Sequence, residues 1–349
     1  MCSDKSSREK ILIVKPSSLG DILHTLPAVA LLADAWPQAE FHWLVNSPFK
    51  DIIAYCPAVT EIIESPRRRL GSWRTFLPAL AALRQQLRRH NYRRVIDFQG
   101  LLRSAAVARL APAEEYIGFA APREKLARLF YNRLIAVPGT CRHAVDKNLS
   151  LAEQICHVHS KDYHLPSLPQ FAASARQLMA QVPKQKTLVA VALGARWESK
   201  RWSAAFFADL LEQLLHNVSD ISIILLGASD SLPEAEFISH SLNSSQITSL
   251  VGQTTLPELI EVIQLSNLLI CNDSGPMHIA AAAGKTVFAF FGPTVPEQTG
   301  PYGKKHYIFQ RDLHCIGCLK RYCPSGEMAC HDLDIDEIVR KIKKYTNQI

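Results

Sequence analysis

A chain of 349 residues exceeds what one hydrophobic core usually organises, so two domains are expected. Its composition, 48% hydrophobic and 20% charged, is that of an ordinary globular protein. No apolar run approaches the roughly 18 residues that span a bilayer, and the net charge of +7 is concentrated rather than spread. Between Arg67 and Ile96 there are nine arginines and no acid. That run calls for an anionic partner (nucleic acid, a membrane surface or a phosphorylated substrate), or else it is a solvated helix face beside a basic loop. The amino-terminal MCSDKSSREK is polar and leads straight into a strand, unlike a secretory signal, so the cytoplasm is the expected compartment. Nine cysteines in such a chain are not a disulfide framework. Cys2, Cys56, Cys141, Cys156 and Cys271 are scattered, whereas Cys315, Cys318, Cys323 and Cys330 cluster.

Short aliphatic and β-branched runs alternate with helical patterns, the signature of βαβ units and a parallel sheet. The first series of strands is expected at Ile11–Val14, Glu40–Val45, Val59–Ile63, Val95–Phe98 and Tyr116–Phe119, with helices at Trp73–Arg89 and Leu101–Leu110. The second series is Thr187–Leu193, Ile221–Leu226, Ile247–Val251, Leu268–Cys271 and Thr286–Phe291. Its helices are expected at Ser203–His216, Pro233–Leu242, Leu256–Leu265 and Pro276–Ala283. The reading is α/β, two Rossmann-like domains facing across a cleft: residues 1–165, a proline-marked linker over 166–186, residues 187–332, and an amphipathic C-terminal helix within 333–349 that packs on either domain. Ligands of such sheets sit at the C-terminal ends of the strands, so the strand-to-helix loops there are the places to search.

Three loops carry chemistry. After the first strand, Ser17, Ser18 and Gly20 make a small-residue turn that ends in Asp21. Asp21 is either a helix N-cap or a carboxylate able to take a proton from an attacking hydroxyl. After Leu193, Arg196, Lys200 and Arg201 lie between two tryptophans beside a helix start, which suits a diphosphate; the alternative is a surface loop with snorkelling cations. After Ile270, Asp273, Ser274 and Gly275 open an alanine-rich helix whose free N–H groups suit phosphate, with Thr294 following the next strand. His278 on that helix is either structural or functional. No two glycines are separated by one residue, so G-x-G-x-x-G cannot occur, and the P-loop pattern is missing too. Both absences weigh against a conventional dinucleotide dehydrogenase and a P-loop ATPase or kinase.

Five fragments in order resemble the ADP-heptose:lipopolysaccharide heptosyltransferases of glycosyltransferase family 9. They run from Val14 to Pro27, from Val95 to Ser104, from Lys200 to Trp202, from Asn272 to His278 and from Phe291 to Thr294. The resemblance implies a GT-B fold, an N-terminal domain for the acceptor, a C-terminal domain for ADP-heptose, and an inverting transfer that needs no metal or other cofactor. It makes Asp21 the general base and Lys200 the phosphate-binding lysine that stabilises the departing ADP. It places Asp273, Ser274, Gly275 and Thr294 around the donor, with either Ser229 or Asp230 at the ribose; Ser17, Ser18, Gly20, Arg196 and His278 are expected to bind the donor as well. Asp97, Gln99, Arg123 and His143 are expected to face the acceptor. The stretches Leu129–Arg133 and His143–Val145 look like heptosyltransferase I, which acts on the Kdo sugars of lipid A. The cysteine tail looks more like heptosyltransferase II.

On this reading the arginine-rich segment holds the anionic groups of a lipid A precursor, making the enzyme peripheral on the inner face of the cytoplasmic membrane. Nucleic acid is disfavoured, because no aromatic interleaving or known motif accompanies the charge. The cysteine cluster is either a structural thiolate site for zinc or iron–sulfur or a locally packed reduced loop. A nucleotide-sugar-binding module without catalysis is the competing non-enzyme reading. The enzyme reading requires Asp21 and Lys200 to serve one gap.

Overall fold

The structure is a computed structural model that describes residues 8–159 and 163–348. Cys2 and the rest of the polar start of the chain lie outside the described residues. The chain divides into two compact units, Met1–Tyr163 and His164–Ile349.

In the first unit β1 (Lys10–Val14), β2 (Glu40–Asn46), β3 (Val59–Ser65), β4 (Tyr92–Asp97), β5 (Ala113–Phe119) and β6 (Arg133–Ile135) form a parallel sheet in the order β3-β2-β1-β4-β5-β6. Ile11, Leu12, Ile13 and Val14 are wholly buried, so both faces of this central strand are covered. That is why the run reads as continuously apolar rather than alternating. Val14 stands level with Leu44 on one side and Asp97 on the other, so the loops after β1 and β4 start side by side.

The second unit repeats the plan. Strands β7 (Thr187–Ala192), β8 (Ile221–Leu226), β9 (Ile247–Ser249), β10 (Leu268–Asn272), β11 (Thr286–Phe291) and β12 (Tyr307–Gln310) are parallel, in the order β12-β11-β10-β7-β8-β9. Counted from its own first strand, this is the same order as in the first unit. In each sheet the winding reverses between the first and fourth strands, β1/β4 and β7/β10, and ligands of such sheets bind at that switch point, at the strands' C-terminal ends.

Two expectations change. The 166–186 segment is not a free linker. Pro169–Leu178 is a helix with its proline in the first turn, where a missing N–H costs nothing. It packs on the Leu256–Leu265 helix within the second unit. Glu261 accepts from Ser167 Oγ at 2.6 Å and from the Leu168 N–H at 2.9 Å, and Glu258 accepts from Ser174. The C-terminal helix Ile335–Thr346 also belongs to this unit, burying Ile338, Val339 and Ile342 in a core shared with Leu210, Leu214 and Phe288. Strands β6 and β12, three and four residues long at the sheet edges, were not expected.

Candidate active site

The β1 loop enters the five-residue helix Leu19–Leu23, and Ser18, not Asp21, is its N-cap. Asp21 stands one turn in and reaches back: its Oδ2 accepts from the Ser18 N–H at 2.9 Å and from Ser18 Oγ at 2.7 Å. A reciprocal box of this kind fixes the carboxylate's direction. Gly20 is the second residue of the helix and not the pivot of a tight turn.

Beside Asp21 lies a residue the sequence reading passed over. Lys15 directly follows the apolar Ile11–Val14 run of β1, is 6% exposed, and donates to the Phe98 carbonyl at 2.8 Å across the β1/β4 switch point. Burial pulls its pKa down, the Asp21 and Asp97 carboxylates oppose that, and Arg123 adds to the lowering. A lysine immediately after a central strand was the available signal.

Asp97, expected at the acceptor, is buried and takes its hydrogen bonds from the protein itself. It is 1% exposed and accepts from Gln99 N–H (2.7 Å), Gly100 N–H (3.3 Å), Ser104 Oγ (2.8 Å) and Tyr131 Oη (2.7 Å). Burial pushes its carboxyl up despite those donors. Tyr131 reaches it only because position 118 is glycine: a Cβ there would fall 2.4 Å from the tyrosine ring. His143 is likewise turned to structure, since it caps the Ala144–Cys156 helix by accepting from the Val145 N–H at 3.2 Å. Of the other two residues expected at the acceptor, Gln99 is partly buried and Arg123 exposed. The turn carrying Arg123 packs on the β4 loop, with Glu124 N–H donating to the Gly100 carbonyl at 3.0 Å.

A pocket opens at this edge of the sheet, and Ser17, Asn46, Arg67, Gln99, Arg103 and Ser104 are among its lining residues. Gln99 Oε1 is buried there with no hydrogen-bond partner. Two guanidinium groups and an unmatched acceptor suit a hydroxyl-rich anionic ligand.

In the second unit the loops after β7, β10 and β11 converge. Lys200 Nζ is 2.6 Å from Asp273 Oδ2, and Thr294 Oγ1 donates to the same oxygen at 2.5 Å. Lys200 also stands over the Trp197 ring at 4.7 Å. Asn272 ties β10 to β7 by donating to the Leu193 carbonyl at 2.7 Å. Ser274 is the N-cap of the Gly275–Ala282 helix, yet its hydroxyl is buried and has no partner. An orphan hydroxyl at the amino end of a helix, whose neighbour Asp273 pairs with a lysine, suits a phosphate oxygen. His278 lies one turn further along the same helix and is partly buried.

Arg196 is exposed at the loop's rim. Arg201 instead braces the loop: its guanidinium meets Asp230 at 2.7 Å and Glu234 at 3.7 Å. Asp230, one of the two ribose candidates, is therefore already paired, while Ser229 is exposed on the same short turn after β8.

The cysteine-bearing tail, expected either to hold a structural metal or to pack as a reduced loop, packs on the lysine loop. Ser199, next to Lys200, donates its hydroxyl to the Lys320 carbonyl at 2.6 Å, and its own carbonyl meets His331 Nε2 at 2.9 Å. His331 stacks on Trp202 with ring centroids 4.1 Å apart, and Trp202 Nε1 donates to the His331 carbonyl. Gly292 leaves room for this contact, since a Cβ there would lie 2.9 Å from the Ser199 carbonyl oxygen. Cys315 and Cys318 are exposed, Cys323 and Cys330 half-buried, and all four are free thiols. A hydrogen bond from Ser325 lowers the Cys323 pKa, whereas burial raises that of Cys330. Among the described residues no three of these thiols lie within 4.8 Å of one another.

A doubly written parallel α/β plan, with a cation–carboxylate pair and a helix N-terminus at the second switch point, is that of the GT-B transferases. The sequence profile of Glycosyltransferase family 9 (heptosyltransferase) matches residues 80–329, and the chain belongs to that family. It is 31% identical over 327 residues to lipopolysaccharide heptosyltransferase 1 of Pseudomonas aeruginosa, covering 90% of this chain and 87% of that one. It is 30% identical over 306 residues to the Escherichia coli K12 protein of the same name, covering 86% and 92%. The solved structure of E. coli heptosyltransferase WaaC with ADP superposes with a TM-score of 0.73 at 28% identity, covering 96% of this chain and 99% of that one. E. coli ADP-heptose lps heptosyltransferase II shares the fold with a TM-score of 0.76 at 20% identity, covering 97% and 99%. The protein is a glycosyltransferase of the heptosyltransferase 1 type.

Proposed function

We propose that this enzyme transfers heptose from ADP-heptose to a Kdo sugar of the lipid A inner core. The observation that carries the donor half is the Lys200–Asp273–Thr294 group beside the partnerless Ser274 hydroxyl at a helix N-terminus. Lys200, Ser274 and the helix N–H groups after Gly275 hold the diphosphate, with Arg196 and His278 at its margins. Asp273 and Thr294 orient the heptose, and Ser229 takes the ribose in preference to the paired Asp230.

In the first unit Asp21 is the base. The acceptor hydroxyl attacks the anomeric carbon from the face opposite the phosphate, so the configuration inverts. As the new C–O bond forms and the bond to the β-phosphate oxygen breaks, Asp21 takes the hydroxyl proton and ADP leaves with the bonding pair. Lys200 and the helix dipole meet that charge. Ser17, Gln99, Arg67 and Arg103 line the acceptor pocket. Their chemistry suits a carboxylated sugar.

The acceptor is a lipid, and the first unit carries the surface for one. Trp73 is 84% and Leu77 71% exposed amid Arg67, Arg68, Arg69 and Arg74, on the segment that follows β3. Leu126 and Leu129 are exposed beside Lys125 and Arg128 after β5. Both segments leave the sheet edge that holds Asp21. Apolar tips among cations are the pattern of a peripheral protein on an anionic leaflet. No helix among the described residues is long and apolar enough to cross a membrane.

Incubating the purified protein and ADP-heptose with Kdo-lipid A, or with the same acceptor already carrying one heptose, tests the reading by product mass. Transfer to the unsubstituted acceptor is expected. Transfer only to the heptosylated one supports the type II reading that the cysteine tail resembles, and ADP release with neither acceptor overturns both.

A further inference from the structure

At the edge of the first sheet away from Asp21, three residues with metal-binding side chains meet. His42 lies near the start of β2 and Glu61 near the start of β3, in register with it, while His90 is on the turn just before β4. We propose that His42, Glu61 and His90 form a binding site for a divalent transition-metal ion, separate from the transfer chemistry.

One ligand atom from each residue lies within 4.8 Å of the other two, and no other such set occurs among the described residues. Glu61 stands between the imidazoles, with its Oε1 3.2 Å from His90 Nε2 and its Oε2 3.8 Å from His42 Nε2. Metal–ligand bonds of about 2.0–2.2 Å put tetrahedral ligand atoms roughly 3.4 Å apart, so small side-chain rotations close the set. Two imidazole nitrogens and a carboxylate select zinc, cobalt or nickel over calcium or magnesium.

The surroundings support a ligand role. His42 is 2% exposed, and its Nδ1 is 3.0 Å from Tyr92 Oη. With the Nδ1 proton donated to that hydroxyl, Nε2 presents its lone pair towards Glu61, the arrangement that orients metal-bound histidines. The rings of His42 and His90 meet edge to face at 4.6 Å, so both are held in place. Glu61 is partly exposed, which leaves solvent a path for the ion and for a water as fourth ligand. Lys10 is a cation close by, 3.5 Å from His90 Nδ1 and 3.8 Å from Glu40. It lies on the far nitrogen of His90. Ligation by Nε2 puts a proton on Nδ1 and turns Lys10 towards Glu40. A bound ion ties together β2, β3 and the turn into β4.

Cobalt titration of the full-length protein reads the site. Cobalt taken up by thiolates of the cysteine tail is told apart by its charge-transfer absorption, which lies away from the visible d–d bands of a nitrogen–oxygen site. The expectation is one saturable site with d–d absorption that lacks the thiolate signature. It weakens about 100-fold in both His90→Gln and Glu61→Gln, and about 10-fold in Tyr92→Phe, within the range seen when outer hydrogen-bond partners are lost. Circular dichroism without metal checks that the variants fold. In the unmodified protein, hyperfine-shifted N–H signals from two imidazoles are expected in the proton NMR spectrum. Heptose transfer is expected to be unchanged in His90→Gln. Uptake equal to wild type in both ligand variants, uptake with thiolate absorption alone, or no shifted imidazole signals overturns the site.

Discussion

Four donors converge on the Asp97 carboxylate, from Gln99, Gly100, Ser104 and Tyr131, in a place almost without solvent. Such a group organises a loop, and its ionisation should register in stability. Burial raises its folded-state pKa above 3.8. Above that value the unfolded chain releases a proton that the folded chain keeps. The contribution is therefore whole below 3.8 and is lost as pH rises through the folded value. Asp97→Asn has no such ionisation. The stability of wild type relative to this variant is expected to fall as pH is raised above 3.8, measured by urea unfolding at a series of pH values. The Lys200–Asp273 pair makes a second residue-scale case. Removing one partner of a buried pair strands the other, at a cost of about 3–5 kcal/mol when burial is complete. Lys200 is 16% exposed, so Lys200→Met is expected to cost about 2 kcal/mol, and Asp273→Asn in the same chain to recover most of it. Calorimetry on Lys200→Met should also show weakened ADP binding, which a purely structural pair would not produce.

At the scale of elements, the tail after β12 positions the lysine loop through Ser199, Trp202 and His331. His331→Ala removes a stacked ring and a hydrogen bond, each worth about 1 kcal/mol. The expected outcome is a lower melting temperature and a raised KM for the donor, with a smaller change in kcat, read in steady-state kinetics at varied ADP-heptose. This contact was not legible in the sequence, because it joins residues more than a hundred positions apart. What was legible is local. The predominantly aliphatic runs at Ile11–Val14 and Ile221–Leu226 are strands buried on both faces, and the loops after β1, β7 and β10 lie at the two switch points. Edge strands β6 and β12 are too short to show a period. The prolines at 166 and 169 suggested a linker, although Pro169 starts a helix held by Glu258 and Glu261. Asp97 and His143 were read as facing an acceptor because polarity in a loop suggests function, whereas one is buried by its donors and the other caps a helix.

At the scale of the whole molecule, the proposed function gives each unit of the duplicated α/β plan one substrate: a lipid acceptor to the first and a nucleotide sugar to the second. If Trp73 and Leu77 enter an anionic leaflet, replacing both with aspartate should reduce binding to phosphatidylglycerol vesicles at least 10-fold. That corresponds to about 1.4 kcal/mol and should show in flotation assays. Turnover of a detergent-dispersed acceptor should be nearly unchanged. Binding that ignores both lipid charge and salt would remove the membrane role. The central claim is that Asp21 of the first unit removes the proton from the hydroxyl that attacks a sugar held by the second. It is tested most directly by single-turnover transfer from ADP-heptose to Kdo-lipid A in Asp21→Asn. The account predicts a rate lower by at least 100-fold with ADP affinity unchanged; a variant that transfers at the wild-type rate contradicts it.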